Sequence, residues 1–169
     1  MVKTGEFYAG SGLMMPLADI SGLPIDQVNF LICQLIALLL GAPFRKYLSP
    51  QTTLPEVRHL TSTLIGILLT IFCFGYQIWY LIVQSGVCYL IMKYGDKNLQ
   101  HKLVFGFVMI YMSIAHMYRQ YYDYGGYTLD ITGPLMIMTQ KLSSMAFAYY
   151  DGQQPEEKLS KDQSDQAIR

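Results

Sequence analysis

The amino-acid sequence predicts an all-α, polytopic membrane protein, with about four membrane-spanning helices followed by a fifth helix that is amphipathic or spanning. The first reason is composition: 52% of the 169 residues are apolar and only 14% are charged, which is unusual for a soluble domain. The second is an uncharged run from Leu60 to Met92. The third is a helical spacing of apolar residues after Pro134.

Three parts can be distinguished along the chain. Residues 1–24 are rich in glycine and proline without periodicity, which predicts a flexible lead-in, and their lone Lys3 has no apolar core after it as in a signal peptide. Residues 25–152 form the multi-span membrane domain. Residues 153–169 alternate acids, bases and glutamines, which predicts a solvated, mobile polar tail.

The first span starts at Asp26, a candidate cap, and runs through an apolar segment to Phe44. Pro43 and the basic pair after Phe44 are expected to end it. Asn29 and Gln34 are its polar exceptions, and we expect both to face other helices.

The uncharged run is too long for one ordinary span, so we expect two helices, Pro55 to Phe74 and Tyr76 to Lys93, broken near Gly75. The flanking loops, 45–59 and 93–102, are both basic. One continuous helix would place them on opposite sides of the membrane, whereas a hairpin places both on one side, as the positive-inside rule requires. We therefore predict a hairpin with both loops in the cytosol.

The fourth span, Leu103 to Tyr118, is short for a bilayer. The stretch that follows, Tyr118 to Tyr127, groups tyrosines with Arg119, Asp123 and a glycine pair. This composition is typical of an aromatic belt at the lipid head groups, and we place it on the side opposite the basic loops.

The histidines were considered as catalytic candidates. His116 lies in the fourth span, where a histidine can accept or shuttle a proton. No carboxylate lies within a helical turn of it, so a helix-packing or interfacial role is the favoured interpretation. His59 and His101 lie in the basic loops and are predicted to be interfacial.

Residues 130–152 carry the clearest helical punctuation. Thr132 is a candidate N-cap, Pro134 suits a first turn and Gly152 is a natural stop. Apolar residues at spacings of three and four are predicted to pack on the earlier spans: Leu135, Met138, Leu142, Met145 and Tyr149.

Lys141 lies in the middle of this helix with no acidic residue within a turn. A submerged ammonium must find a carbonyl, an anionic head group or water, so Lys141 is the candidate substrate-binding residue, through a lipid phosphate. The alternative is a lysine that snorkels from an interfacial helix to the head groups.

Other chemistries find no support in the sequence. A net charge of zero at pH 7 argues against nucleic acid as a partner. Cys33, Cys73 and Cys88 lie in apolar runs without CxxC spacing and are interpreted as small buried hydrophobes, so we expect neither a disulfide set nor a metal site. The motifs GxSxG, HExxH, GxxxxGK and GxGxxG are absent, and we expect no cofactor.

Four segments resemble the membrane-bound O-acyltransferase (MBOAT) family: LPIDQVNFLICQL (Leu23 to Leu35), FCFG (Phe72 to Gly75), VQSGVCYLIM (Val83 to Met92) and DITGPLMIMTQKLSSMAFAYYDG (Asp130 to Gly152). They follow the order of the family, and the last is the most specific. They look most like the N-terminal portion of the lysophospholipid acyltransferases that handle lysophosphatidylserine and lysophosphatidylethanolamine.

The resemblance implies a multi-pass enzyme of the endoplasmic reticulum that moves an acyl group from acyl-CoA, its co-substrate, to the free hydroxyl of a lysophospholipid. The family's catalytic histidine and the asparagine upstream of it match no residue here and are expected beyond Arg169. No catalytic residue is therefore assigned, and the isolated chain is expected to be inactive. The alternative is a catalytically dead membrane module that pairs with a full-length copy.

Overall fold

The computed structural model of the protein describes residues 8–49, 53–124, 128–155 and 159–168. Its helices are α1 (Met15–Ser21), α2 (Ile25–Tyr47), α3 (Pro55–Phe74), α4 (Ile78–Tyr94), α5 (Gln100–Tyr122), α6 (Thr132–Gly152) and α7 (Lys161–Gln166), with a 3-10 turn, Gly75–Gln77, between α3 and α4. These described residues contain no strand. The predicted all-α fold is confirmed.

Two stretches of the described chain are long and apolar enough to cross a membrane: α2 and Pro55–Tyr94. The second covers 40 residues, twice the roughly 20 that one span needs. Helices α5 and α6 do not reach the same apolar character. That they also cross the membrane stays a prediction.

The long apolar stretch breaks at Gly75, as predicted. This glycine has a left-handed φ of 55°, and a Cβ atom there would collide with the Ala9 carbonyl oxygen. The chain forms two compact units that part just after this turn: the described residues of Met1–Ile78 with Gly126–Asp130, and those of Trp79–Gly125 with Ile131–Arg169. The hairpin and the side on which its basic loops lie stay predictions.

The lead-in contains structure that the sequence does not predict. Within residues 8–24, α1 forms and buries Ala18 beside Ile25 of α2. The Ser11 N–H donates to the Phe72 carbonyl at 2.9 Å. The lead-in thus contains a helix and a contact with α3 that the sequence does not predict, while its flexibility stays a prediction. Residues 1–7 lie outside the described chain.

Helix α2 differs from the predicted first span at both ends. It continues past Pro43 to Tyr47, because a proline removes one N–H while the neighbouring helical bonds persist. Asp26 is not the cap, since Pro24 holds that position. The Asp26 carboxylate is instead buried and accepts a hydrogen bond from the Leu129 N–H at 2.6 Å, which ties the start of α2 to the segment before α6.

The second unit is built around α4, α5 and α6. Its buried apolar core consists of Cys88, Val104, Val108, Leu142 and Ala146. Helix α5 has 23 residues, so it is longer at both ends than the predicted fourth span. At 1.5 Å per residue it measures roughly 35 Å, which is enough to cross a hydrocarbon core.

Helix α6 occupies the predicted residues but lacks the predicted caps. Ile131 holds the N-cap position, and the Thr132 side chain makes no capping hydrogen bond. The Thr132 hydroxyl instead accepts a hydrogen bond from Arg119 Nη1 at 3.4 Å. Gly152 ends the helix without a left-handed conformation.

The buried face of α6 is rotated from the predicted one. Met138 is half-buried, but Met145 and Tyr149 are exposed, which corrects the prediction for those two residues. The buried stripe is Thr132, Leu135, Thr139, Leu142 and Ala146. It is turned by about 60° from the predicted face at the 100° per residue of an α-helix, because the small Ala146 and the hydrogen-bonding Thr139 face the neighbouring helices.

The described part of the polar tail folds back on α6, which the sequence does not predict, and its mobility stays a prediction. Ser160 and Gln163 form a capping box that begins α7. The Ile168 N–H then donates to the Ala148 carbonyl at 3.0 Å. Gly152 permits this approach, since a Cβ atom there would collide with the Ile168 carbonyl oxygen.

Candidate functional site

A groove with a volume of about 620 Å³ runs along α5 and α6 in the second unit. This size lies within the roughly 300–1,000 Å³ that is usual for small-molecule sites. Its apolar lining is Phe105, Met109, Met112, Met136 and Ile137, and its polar lining is Thr139, Gln140, Ser143 and Ser144. A groove lined by both apolar and polar side chains suits an amphiphile with a long apolar chain.

A second cavity, of about 350 Å³, adjoins this groove and shares Phe105, Ser143 and Ser144 with it. Its remaining lining comes from the end of α6 and from α7: Phe147, Ala148, Asp151, Asp162, Gln163 and Gln166. The folded-back tail therefore gives the groove a polar end. The sequence does not predict this feature, because it depends on the placement of the tail against α6 in space.

Gln84 and Thr139 form a buried polar pair at the groove. Gln84 Nε2 donates to Thr139 Oγ1 at 2.8 Å, and Gln84 is completely buried. The Gln84 Oε1 atom has no hydrogen-bond partner among the described residues. The pair holds α4 against α6, because an amide in apolar surroundings is costly unless it is paired. The sequence signal for this buried pair is a glutamine, Gln84, inside an uncharged span.

Lys141, the predicted substrate-binding residue, is exposed on α6 and does not line the groove. It lies one helical turn from Ile137 and Ser144, which do line it. Among the described residues Lys141 makes no ion pair. Lys141 is therefore an exposed lysine without an ion pair within one helical turn of the groove lining, and its contact with a substrate stays a prediction.

His101 is not the interfacial loop residue that the sequence predicts. It lies in the first turn of α5, buried, with ring centroids 5.1 Å from Phe147 and 4.0 Å from Tyr150. Burial is the main cause that lowers the pKa of His101 below its ordinary value; Lys102 lowers it further and Asp151 opposes the shift. A neutral, buried imidazole between two aromatic rings is a packing residue.

The other two histidines lie apart from the groove lining. His116 is half-buried in α5, and its Nε2 atom has no hydrogen-bond partner among the described residues. Partial burial without a hydrogen-bond partner agrees with the helix-packing role that the sequence favours for His116. His59 is exposed in the first turns of α3, not in a loop.

Asn29 is the centre of a buried polar cluster in the first unit. Its Nδ2 donates to the Tyr8 hydroxyl at 2.6 Å and to the Ser11 carbonyl at 2.7 Å. Asn29 is completely buried, but its side chain bonds the segment before α1 and not another helix, which corrects the prediction that it faces other helices. Gln34 is exposed, so the same prediction is wrong for it within the described chain.

The predicted aromatic belt begins inside α5 and not in a loop. Tyr118, Tyr121, Tyr122 and Tyr124 are exposed, while Tyr127 and the glycine pair lie outside the described residues. Exposed tyrosines at the end of a helix suit the head-group region of a membrane. The side of the membrane on which they lie stays a prediction.

The chain is similar over most of its length to known acyltransferases. It is 44% identical to membrane-bound glycerophospholipid O-acyltransferase 2 of Gallus gallus over 144 residues, which are 85% of this chain and 28% of that protein. It is 43% identical to the Homo sapiens protein of the same name over 162 residues, which are 95% of this chain and 31% of that protein. Identity at this level across nearly the whole chain indicates common ancestry.

The chain is thus similar, over most of its own length, to part of these membrane-bound O-acyltransferases. It is also 43% identical to lysophospholipid acyltransferase 6 of Drosophila melanogaster over 165 residues, which are 97% of this chain and 23% of that protein. The predicted resemblance is confirmed. This acyltransferase homologue thus spans 23% to 31% of the length of these relatives. No family model and no solved structure matches it.

The segments that carry the resemblance also carry the buried polar contacts of this acyltransferase homologue. Asp26 and Asn29 belong to LPIDQVNFLICQL, Gln84 to VQSGVCYLIM and Thr139 to the segment that forms α6. Each of these side chains is buried and hydrogen-bonded to a distant part of the chain. The segments that carry the resemblance therefore also stabilise the packing of the helices, through these hydrogen bonds.

Proposed function

We propose that the chain is part of a membrane-bound enzyme of the endoplasmic reticulum that transfers an acyl group from acyl-CoA to the free hydroxyl of a lysophospholipid. The observation that supports this proposal is the identity of 43% to 44% to named O-acyltransferases across 85% to 97% of the chain. In this proposal the groove along α5 and α6 holds the apolar chain of the lysophospholipid. The polar lining, which includes Ser143 and Ser144, lies beside its glycerol.

Lys141 is the proposed contact for the lysophospholipid phosphate. The proposal is supported by its exposure and by its position one helical turn from Ile137 and Ser144, which line the groove; an ammonium there would bind a phosphate whose acyl chain lies inside. A lysine that only snorkels to the membrane surface would have no preference for this ligand. Binding, rather than membrane insertion, therefore distinguishes the two interpretations.

The proposed binding can be measured with the purified chain in detergent micelles and a fluorescent lysophosphatidylethanolamine. Lys141→Met is expected to weaken the affinity about threefold to tenfold, as for the loss of roughly 1 kcal/mol from a partly exposed charged contact. Lys161→Met, which removes an exposed lysine of α7, is the matched control and should leave the affinity unchanged. An equal effect of the two substitutions would contradict the phosphate contact, and a chain that binds no lysophospholipid would contradict the groove.

The isolated chain itself is expected to be inactive, since no residue in it is assigned as a base for the attacking hydroxyl. Purified chain in lipid, given labelled acyl-CoA and either lysophosphatidylserine or lysophosphatidylethanolamine, should show no turnover above an empty-membrane control. Turnover that disappears in His116→Ala would overturn this expectation and the packing role of His116 together.

A further inference from the structure

Cys33 and Cys73 face one another between α2 and α3 in the first unit. The Cys33 thiol donates to the Leu69 carbonyl at 3.8 Å, and the Cys73 thiol donates to the Asn29 carbonyl at 3.6 Å. Leu69 lies one helical turn before Cys73, and Asn29 lies one turn before Cys33. The two hydrogen bonds are therefore reciprocal: each thiol donates to a backbone carbonyl of the other helix, one turn before the other cysteine.

The surroundings of this pair isolate it from water. Cys33 is 7% exposed and Cys73 is 5% exposed. Cys33 is the ninth residue of α2, so it lies roughly 12 Å along that helix from its start at 1.5 Å per residue. Because α2 is a candidate membrane span, the pair lies at a depth where an apolar reagent can arrive from the lipid.

We propose that Cys33 and Cys73 form a redox-active dithiol site, which an apolar hydroperoxide converts to a disulfide that joins α2 to α3. The site adds a modification of the chain that is independent of acyl transfer. The third cysteine supplies an internal comparison, since Cys88 lies in the core of the second unit and packs against Val104 and Val108.

The reaction has two steps and needs one oxidant. A hydroperoxide, ROOH, transfers its terminal oxygen to one thiol, which forms a sulfenic acid and releases the alcohol ROH. The neighbouring thiol then attacks the sulfenic sulfur, the S–S bond forms, and the hydroxyl leaves with the thiol proton as water. Two thiols and one hydroperoxide thus give one disulfide, one alcohol and one water. The second step is intramolecular, which favours it over further oxidation of the sulfenic acid.

The oxidant should be apolar because the site is buried. Thiols without access to water react slowly with water-borne reagents. Cumene hydroperoxide enters micelles and bilayers, whereas hydrogen peroxide stays in the aqueous phase. We expect the first to oxidise the pair faster at equal concentration, and the opposite order would contradict access from the lipid.

The test counts free thiols in the full chain in micelles, before and after treatment with cumene hydroperoxide, by alkylation under denaturing conditions. The chain starts with three free cysteines, and we expect the loss of two of them together, with full recovery after dithiothreitol. Retention of all three thiols would overturn the proposal. Loss of one thiol at a time, as a sulfinic or sulfonic acid that dithiothreitol does not reverse, would overturn it as well.

A variant identifies the partners. No lysine or arginine lies between Arg58 and Lys93, so one tryptic peptide carries both Cys73 and Cys88. Cys88→Ala removes this ambiguity, and its oxidised form should yield the peptide of Cys33 linked to that of Cys73. In Cys33→Ala, a disulfide between Cys73 and Cys88 would contradict the assignment. The first result is read as the mass of two linked peptides, and the second as the loss of two hydrogen atoms from the single peptide that holds Cys73 and Cys88. Neither reading depends on acyltransferase activity, so both stand apart from the proposed function.

Discussion

At the scale of the residue, polar side chains inside apolar helices carry the specific contacts of this protein. Gln84, Thr139 and Asn29 are each buried, and each makes a short hydrogen bond that joins segments far apart in the sequence. The sequence shows that such residues must have partners, because an unpaired amide in apolar surroundings is costly. It does not show which partner, because pairing across 55 positions, as between Gln84 and Thr139, depends on the packing of the helices.

Thr139→Val should destabilise the second unit, because it removes the acceptor of the Gln84 amide and leaves that amide buried without a partner. We expect a loss of about 1–2 kcal/mol, measured by denaturant unfolding in micelles with circular dichroism. Adding Gln84→Leu should recover most of it, since the double variant leaves no orphaned polar group. Ser144→Ala, at an exposed position of the same helix, is the control. Additive losses in the double variant would show that the pair is not coupled.

His101 should make stability depend on pH. Its pKa is lowered in the folded state from the ordinary 6.5, chiefly by burial, so the unfolded chain takes up a proton more readily. The contribution of His101 to the free energy of unfolding is therefore fully present above pH 6.5. It is lost as the pH falls through that value towards the lowered pKa. His101→Phe should remove this component between about pH 7.5 and about pH 5.5, as followed by thermal unfolding. His59→Phe, at an exposed site, should keep it, and an unchanged profile in His101→Phe would refute the assignment.

At the scale of the element, the sequence predicts the helices well and their ends less well. Proline and glycine mark the start of α3 at Pro55, its break at Gly75 and the last residue of α6, Gly152. Pro43 was expected to end α2 and does not, because a helix tolerates the loss of one N–H near its end. The buried face of α6 differs from the predicted one because the spacing of large apolar side chains predicts the first face, whereas close packing places the small Ala146 in the core.

Gly75→Ala should destabilise the protein, because the left-handed backbone disfavours a side chain and the new Cβ atom would meet the Ala9 carbonyl. We expect a loss of more than about 1 kcal/mol. Gly66→Ala is the matched control within α3, since a Cβ there meets nothing within 4 Å, and it should be neutral or stabilising by about 0.5–1 kcal/mol. The two variants are compared by their thermal unfolding in micelles. Equal effects would show that the turn at Gly75 is not specific to glycine.

At the scale of the whole molecule, composition and the uncharged run suffice for an all-α membrane class, and four sequence segments suffice for the family. The division into two units was not predicted, because it depends on contacts such as that of Asp26 with Leu129, 103 residues apart. The groove was not predicted either. Its lining residues come from both α5 and α6, and no local sequence pattern predicts how two helices pack against each other.

The folded-back tail was missed for a different reason. The pair Ser160 and Gln163 was readable as a capping box, but the polar composition of the segment outweighed it. Gly152 allows the close approach of the Ile168 backbone, but this role can be recognised only when the positions of both residues in space are known. Composition therefore predicts where a chain is solvated better than it predicts where a chain folds back on a helix.

The central claim is that this chain does the work of the matching part of a lysophospholipid acyltransferase. It is tested most directly by exchange of the 162 matched residues of the Homo sapiens O-acyltransferase 2 for those of this chain, followed by measurement of acyl transfer from labelled acyl-CoA to lysophosphatidylethanolamine in membranes. The account predicts that the exchanged protein, at equal expression, keeps its activity to within about tenfold, or ~1.4 kcal/mol of transition-state stabilisation. Activity no higher than that of empty membranes, at normal expression and membrane insertion, would contradict it.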